Sequence, residues 1–259
     1  MIEGLRNESL MNKAYNLIQQ GKYHDAIGYY DKILESDSHH VNASYGKGLI
    51  FQRWGMYGDA LEFYDKVLEL DSGYFNAWYG RGMVLGELGE YQDALDSYDK
   101  ALEIDPKNVG LLNNRGSTLG MLGKYQDALN SYDKALEIDP HSVGLWINKG
   151  FIQRKSGKYH ESLKAFDKAL GIDPNNADTW FQKGCVLMDL KENCEALKSF
   201  NKALEIDPSD AEALYNKAII LTDTDQQNAL KCLNKILEIN SEFEPALKAK
   251  KELLEGKKE

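Results

Sequence analysis

Along most of the chain, apolar residues fall in the three-and-four spacing of a buried helical stripe, as in Ala94, Leu95, Tyr98, Ala101 and Leu102, and the far side of each stripe is charged. The pattern itself repeats. Asp-Pro pairs stand at Asp105-Pro106, Asp139-Pro140, Asp173-Pro174 and Asp207-Pro208, each 34 residues after the last. A fixed period of this size marks a repeat architecture. With each proline as position 32, units begin at Asn7, Val41, Phe75, Val109, Val143, Ala177 and Ala211, which gives repeats 7–40, 41–74, 75–108, 109–142, 143–176, 177–210 and 211–243. The seventh is one residue short, between Thr222 and Asn228.

Within a unit, small residues recur at position 8 (Ala14, Gly48, Gly82, Gly116, Gly150, Gly184, Ala218) and position 20 (Ala26, Ala60, Ala94, Ala128, Ser162, Ala196, Ala229). Two helices approach closely where both lack bulk. Rings at position 24 (Tyr30, Tyr64, Tyr98, Tyr132, Phe166, Phe200) and position 17 (Tyr23, Tyr57, Tyr91, Tyr125, Tyr159) are expected to fill the space between units. A glycine at position 15 (Gly21, Gly55, Gly89, Gly123, Gly157) suits the left-handed residue after a helix C-terminus. Each unit therefore reads as helix, tight turn, helix, and the Asp-Pro pair stops the second helix because a residue before proline leaves the α region. From Glu244 to residue 256 an amphipathic stretch with Pro245 in its first turn predicts a last helix, whose Leu247, Leu253 and Leu254 are expected to cover the end of repeat seven.

With Trp78, Gly82, Leu85, Tyr91, Ala94, Tyr98, Ala101 and Pro106 in its best unit, the chain resembles the tetratricopeptide repeat (TPR) family over residues 7 to 255. The resemblance implies an all-α fold: a right-handed superhelical solenoid of seven TPR helix–turn–helix repeats with a C-terminal capping helix. It also implies a non-enzymatic scaffold whose groove, lined by the first helices, takes a peptide or protein segment. Physically, a helix pair cannot bury its apolar face alone, so neighbours stack into a quasi-linear array. Two alternatives stand beside this reading: a regulatory module of an enzyme on another chain, and a structural protein that self-associates through its terminal repeats.

By the family's geometry positions 2, 5, 9, 12 and 13 face inward. Position 5 reads Met11, Tyr45, Tyr79, Asn113, Ile147, Phe181, Tyr215, and position 9 reads Tyr15, Leu49, Met83, Ser117, Phe151, Cys185, Ile219, an apolar and aromatic line. Position 6 carries Asn12, Asn114, Asn148 and Asn216, with Gln182 in repeat six and glycine at Gly46 and Gly80. Amides offer donors and an acceptor to the backbone of an extended chain. The candidate partner-binding groove is accordingly Tyr45, Tyr79, Asn113, Asn114, Ile147, Asn148, Phe181, Tyr215 and Asn216. The competing readings are that the position-5 rings only pack neighbours and that the amides only face solvent. Family members that dock chaperone tails use Lys and Asn at positions 5 and 9 of one repeat, and no repeat here has that pair.

Position 7 is basic throughout (Lys13, Lys47, Arg81, Arg115, Lys149, Lys183, Lys217), where the family commonly has Leu. Acids recur at position 25 (Asp31, Asp65, Asp99, Asp133, Asp167) and position 31 (Asp37, Asp71, Asp105, Asp139, Asp173, Asp207). An ion-pair ladder between consecutive units would use both series, with the Lys stems over apolar surface.

Composition changes the picture chiefly by exclusion. With Lys+Arg 31 against Asp+Glu 41, the net charge of −10 argues against a nucleic-acid partner, which needs a concentrated basic face. No apolar run reaches the roughly 18 residues of a membrane span, and the start MIEGLRNESLMNKAYNL has neither a basic n-region nor a small-residue cleavage site, so a cytoplasmic protein is expected. Cys185, Cys194 and Cys232 form no CxxC pair and fit free thiols in a reducing compartment. The five histidines fall in turns or loops by the register, His39-His40 lacks further ligands, and Cys185 lacks a neighbouring base. Gly46-Lys47-Gly48 and Gly80-Arg81-Gly82 lie inside helices with no preceding strand and are not phosphate loops. No catalytic residue, metal site or cofactor is expected.

Overall fold

The computed structural model describes residues 2–255. Helix α1 spans Ile2–Gln19, α2 Tyr23–Ser36, α3 Val41–Arg53, α4 Tyr57–Leu70, α5 Phe75–Glu87, α6 Tyr91–Ile104, α7 Val109–Met121 and α8 Tyr125–Ile138. They are followed by α9 Val143–Lys155, α10 Tyr159–Ile172, α11 Ala177–Asp189, α12 Asn193–Ile206, α13 Ala211–Leu221, α14 Gln226–Ile239 and α15 Glu244–Glu255. Among the described residues no strand occurs, and the fold is an all-α array of repeated helix pairs. Residue 256, the last of the expected capping helix, lies outside the described residues. The chain divides into two compact units, residues 1–127 and 128–259, with the division in the first turn of α8.

The turn inside each pair is set by one left-handed residue. Gly21, Gly55, Gly89, Gly123 and Gly157 have φ between 72° and 79°, and Lys191 takes the same place at 62°. The amide after Gly21, that of Lys22, donates to the Leu17 carbonyl at 2.9 Å, and so satisfies a helix-end acceptor.

The second helices leave the α region before proline, as the Asp-Pro pairs suggest, and a second device does the same where no proline follows. Asp37 and Asp71, which precede serine, leave the helix with the same dihedrals (φ −139°, ψ 89° and φ −143°, ψ 92°) as Asp105 and Asp173, which precede proline. In each case the carboxylate accepts an N–H two residues on: His39 to Asp37 at 3.1 Å, Gly73 to Asp71 at 3.0 Å, Asn175 to Asp173 at 3.1 Å. This Asx turn competes with the helix for the backbone. The position-31 acids are therefore turn formers and take no part in the ladder.

In residues 1–127, Ala14, Ala26, Tyr30 and Ile33 of the first pair are buried with Ala43 and Ile50 of α3. Likewise Ala60, Tyr64, Val67 and Leu68 are buried with Ala77 and Val84 of α5. Each core is closed by the first helix of the following pair, so no pair is complete alone. In residues 128–259, Phe200 of α12 is fully buried among Cys185, Leu187, Ala196, Ala203, Ala213 and Ile220.

The rings of position 24 occupy a slot made by glycine. A Cβ at Gly82 would stand 2.5 Å from Cε1 of Tyr98, and one at Gly184 2.6 Å from Cε1 of Phe200, both within the same pair. The opposite flank of the ring meets the next pair: a Cβ at Gly80 would lie 2.7 Å from Cζ of Tyr64, and one at Gly46 2.7 Å from the hydroxyl of Tyr30. Close approach at positions 8 and 20 is visible where Ser162 Oγ donates to the Gly150 carbonyl at 2.7 Å.

The basic residues of position 7 pair sixteen residues back. Lys47–Asp31 (2.7 Å), Arg81–Asp65 (2.7 Å) and Arg115–Asp99 (2.6 Å) form the series in the first unit, and Lys149–Asp133 (2.5 Å) and Lys183–Asp167 (2.6 Å) form it in the second. Their acids are about half exposed, so each pair contributes no more than about 1 kcal/mol. Sixteen residues before Lys217 stands Asn201, where the series stops.

At the C-terminal end, Ala246 and Leu253 of α15 are buried on Leu214, Ala218, Leu233 and Ile236, with Ala249 alongside. Leu247 and Leu254, expected to share that duty, are 46% exposed, because they sit about 100° around the helix from the Ala246–Ala249–Leu253 stripe. His24 and His160, expected in loops, lie in the first turns of α2 and α10, since Tyr23 and Tyr159 open those helices directly after the turn.

Candidate functional site

Helices α3 and α5 together line a concavity at the positions expected to face inward. Tyr45 and Tyr79 line one concavity of about 580 Å³ with Leu49, Met83, Gln52 and Asn76. Leu49 and Met83 are 40% and 37% exposed, and both lie on the wall of this one concavity. The aromatic rings below them are held rigidly. Tyr45 packs on Tyr64 and Tyr74, with centroids 6.0 and 5.1 Å apart, and Tyr79 on Phe75 and Tyr98 at 6.0 and 6.3 Å. Position 5 is thus both packing and floor.

The hydroxyls of that floor are neutral donors. Burial, and then the neighbouring Tyr74, pushes Tyr45 up to about 12. Burial also raises Tyr79, with the Asn114 hydrogen bond pulling the other way. Asn114 Nδ2 donates to the Tyr79 hydroxyl at 3.1 Å, which leaves the phenol its own proton to offer. Gln52 Oε1 accepts from Tyr64 at 2.5 Å. At the two glycines that interrupt the amide row, Gly46 and Gly80, the rings of Tyr30 and Tyr64 from the preceding pair occupy the space a Cβ would take, although Tyr98 and Tyr132 precede Asn114 and Asn148 in the same register.

The remaining sequence-predicted residues serve more local contacts. Asn113 Nδ2 lies 3.5 Å from Asn114 Oδ1 in α7. In the second unit Phe181 packs on Phe200 at 5.9 Å and Tyr215 edge-on to Phe243 at 6.1 Å, while Asn216 Nδ2 sits 3.7 Å from Cys185 Sγ. Ile147 and Asn148 are half-buried on α9. Phe151 and Ile219, one turn further along their helices than Ile147 and Tyr215, are each 39% exposed. Arg154 and Asp189, at positions 12 and 13 of their repeats, pair at 2.6 Å between α9 and α11. The residues that the candidate set omitted, Leu49, Met83, Gln52 and Asn76, occupy positions 9, 12 and 2, which the family geometry already turns inward.

Cys185 is buried, and desolvation pushes its thiol up to about 11, so it is protonated at neutral pH and a poor nucleophile. Among the described residues no three His, Cys, Asp or Glu side chains gather as metal ligands, and no helix is long and apolar enough to cross a membrane.

Among solved structures the chain is similar to YrrB, a TPR protein described as having an unusual peptide-binding site, at 29% identity over 73% of this chain and 97% of that one, with TM-score 0.63. It shares its fold with MamA, at 22% identity over 66% of this chain and 94% of that one, with TM-score 0.62. The same holds for a tetratricopeptide repeat protein from Parabacteroides merdae, at 21% identity over 96% and 98% of the two chains, with TM-score 0.71. No curated protein matches the sequence. Models of the tetratricopeptide repeat match residues 11–75, 75–108, 110–142 and 144–176, and a TPR repeat model matches 184–223. Together with the paired helices, the left-handed turn residue and the ring-in-glycine packing, these matches show that the chain belongs to the tetratricopeptide repeat family.

Proposed function

We propose that this protein is a non-enzymatic protein-interaction scaffold that holds an extended peptide segment of a partner against the inward face of α3 and α5. One observation carries the reading: Leu49 and Met83 stand exposed over a concavity floored by Tyr45 and Tyr79. Buried aromatic anchors with polar groups at the rim are what a peptide side chain needs in order to be desolvated and oriented. The likeness to YrrB, a TPR protein with a peptide-binding site, supports it. The three free thiols suit a reducing compartment, and the reading places the protein in the cytoplasm.

Panning a phage-displayed random peptide library on the purified protein tests this. Selected peptides are expected to lose at least about tenfold in affinity for a Leu49→Ser/Met83→Ser variant of unchanged helicity, since two apolar anchors are removed. Failure to select any peptide, or equal binding to the variant, would overturn the assignment.

A further inference from the structure

The ion-pair ladder has a place for a carboxylate that the chain leaves empty. In five steps a basic residue of a first helix meets an aspartate sixteen residues back, at 2.5 to 2.7 Å. At the sixth step the basic residue is present as Lys217, and the aspartate is replaced by Asn201. An amide carries no charge to match the ammonium.

The side chains around this step form a concavity of about 520 Å³ between α12, α13 and α14. Asn201, Lys217, Lys231 and Lys235 line it over an apolar wall that includes Leu204 and Leu214, and no acidic side chain is among its lining residues. Lys231 Nζ donates to the neutral Asn228 Oδ1 at 3.2 Å. Lys235 has a glutamate three residues on, Glu238, as do its equivalents in α6 and α12, of which Lys100 pairs with Glu103 at 3.0 Å and Lys202 with Glu205 at 2.6 Å. Among the described residues neither Lys217 nor Lys235 makes an ion pair. Both lie close enough to Cys232 to oppose the upward pull of burial on its thiol. Lys217 and Lys235 thus line one cleft without an ion pair, beside Lys231, whose ammonium acts on the Asp225 carboxylate outside that lining, in a chain of net charge −10.

We propose that this cleft binds an acidic segment of a partner protein. One carboxylate of the segment takes the position on Lys217 that aspartate holds at the other steps, and an adjacent apolar side chain rests on Leu204 and Leu214. The leucine wall fits a peptide rather than a polyphosphate backbone, which has no apolar group to place there, and the net negative charge of the chain repels a long polyanion. The site is separate from the inward groove. Lys217 and Ile219 are two residues apart on one helix, hence about 200° around it, and face opposite ways.

The test uses a fluorescein-labelled, end-blocked peptide of alternating aspartate and leucine, with its asparagine–leucine counterpart and inorganic phosphate as comparisons, read by anisotropy at low salt. The aspartate peptide is expected to bind and the asparagine peptide not to. Asn201→Asp, which supplies the missing carboxylate from within and copies the Lys183–Asp167 geometry, should weaken binding at least about tenfold with helicity intact. Lys217→Gln should weaken it similarly, and Lys100→Gln on α6 should leave it unchanged. Unaltered binding to Asn201→Asp, equal loss in Lys100→Gln, displacement by millimolar phosphate, or no binding at all would each overturn the proposal.

Discussion

Lys183 reaches back across one turn of chain and two helix ends to place its ammonium 2.6 Å from the carboxylate of Asp167, while the same ammonium lies 5.3 Å from the centre of the Trp180 ring. The lysine therefore acts twice, as a charge and as an apolar stem beside an aromatic face. Lys183→Met keeps the stem and should cost no more than about 1 kcal/mol, because Asp167 is more than half exposed. Lys183→Ala should cost measurably more. Urea denaturation at low salt and at 1 M salt separates the two contributions, since only the charge part is screened. A larger loss for the methionine than for the alanine variant would refute this division.

Lys191 holds φ at 62° where five other pairs use glycine. A side chain in the left-handed region costs about 1 kcal/mol or more, so Lys191→Gly should stabilise the fold by roughly that amount, less the extra freedom that glycine gives the unfolded chain. The midpoint of chemical denaturation should rise; a fall would mean that the lysine side chain has a stabilising role at the turn.

Gln153 is 8% exposed, and its Oε1 has no hydrogen-bond partner among the described residues. Position 11, where it stands, carries leucine or phenylalanine in every other repeat, as in Phe51, Leu85 and Leu187. Replacing it with leucine removes an unsatisfied acceptor and should stabilise by about 1 to 3 kcal/mol. A thermal melt reads the change directly, and an unchanged or lower midpoint would show that the amide is satisfied by something it needs.

High pH should unfold the protein progressively. Cys185 is pushed up to about 11 and Tyr45 to about 12, in both cases first of all by burial. A folded value above the unfolded one leaves stability intact below the unfolded value, about 9 for the thiol and 10 for the phenol, and removes it as pH climbs toward the folded value. Stability should thus decline from about pH 9 upward, and Cys185 should resist a thiol reagent at pH 8 while exposed Cys194 reacts. Rapid labelling of Cys185 in folded protein would contradict its burial.

The 34-residue period made the helix pairs, the turn glycines and the position-7 ladder legible, because each rests on residue type at a fixed place. What the period cannot reveal is which of two neighbours a side chain meets. The Tyr64 ring lies against Gly48 of its own pair and Gly80 of the next, a double contact that residue type does not announce, since Tyr98 and Tyr132 at the same position are followed by Asn114 and Asn148. The position-31 acids looked equivalent to those at position 25. Their backbone conformation made them turn formers, and that depends on dihedrals no residue count supplies. Of the residues lining the concavity beside Tyr45 and Tyr79, Gln52 and Asn76 stand at positions 12 and 2, which the register already turned inward, but their types vary between repeats and so gave no signal to single them out.

The fit of Tyr30 against Gly46, and of Tyr64 against Gly80, makes the order of the modules directional. A tenon on one module requires a mortise on its successor. Setting a module with Asn or Gln at position 6 behind Tyr64 would bring its Cβ to 2.7 Å from Cζ of that ring, so the ring would have to shift. Recombination, natural or engineered, therefore keeps these two joints as they stand when its breakpoints fall between position 6 and position 24 of a module, so that the ring and the glycine that receives it are inherited together.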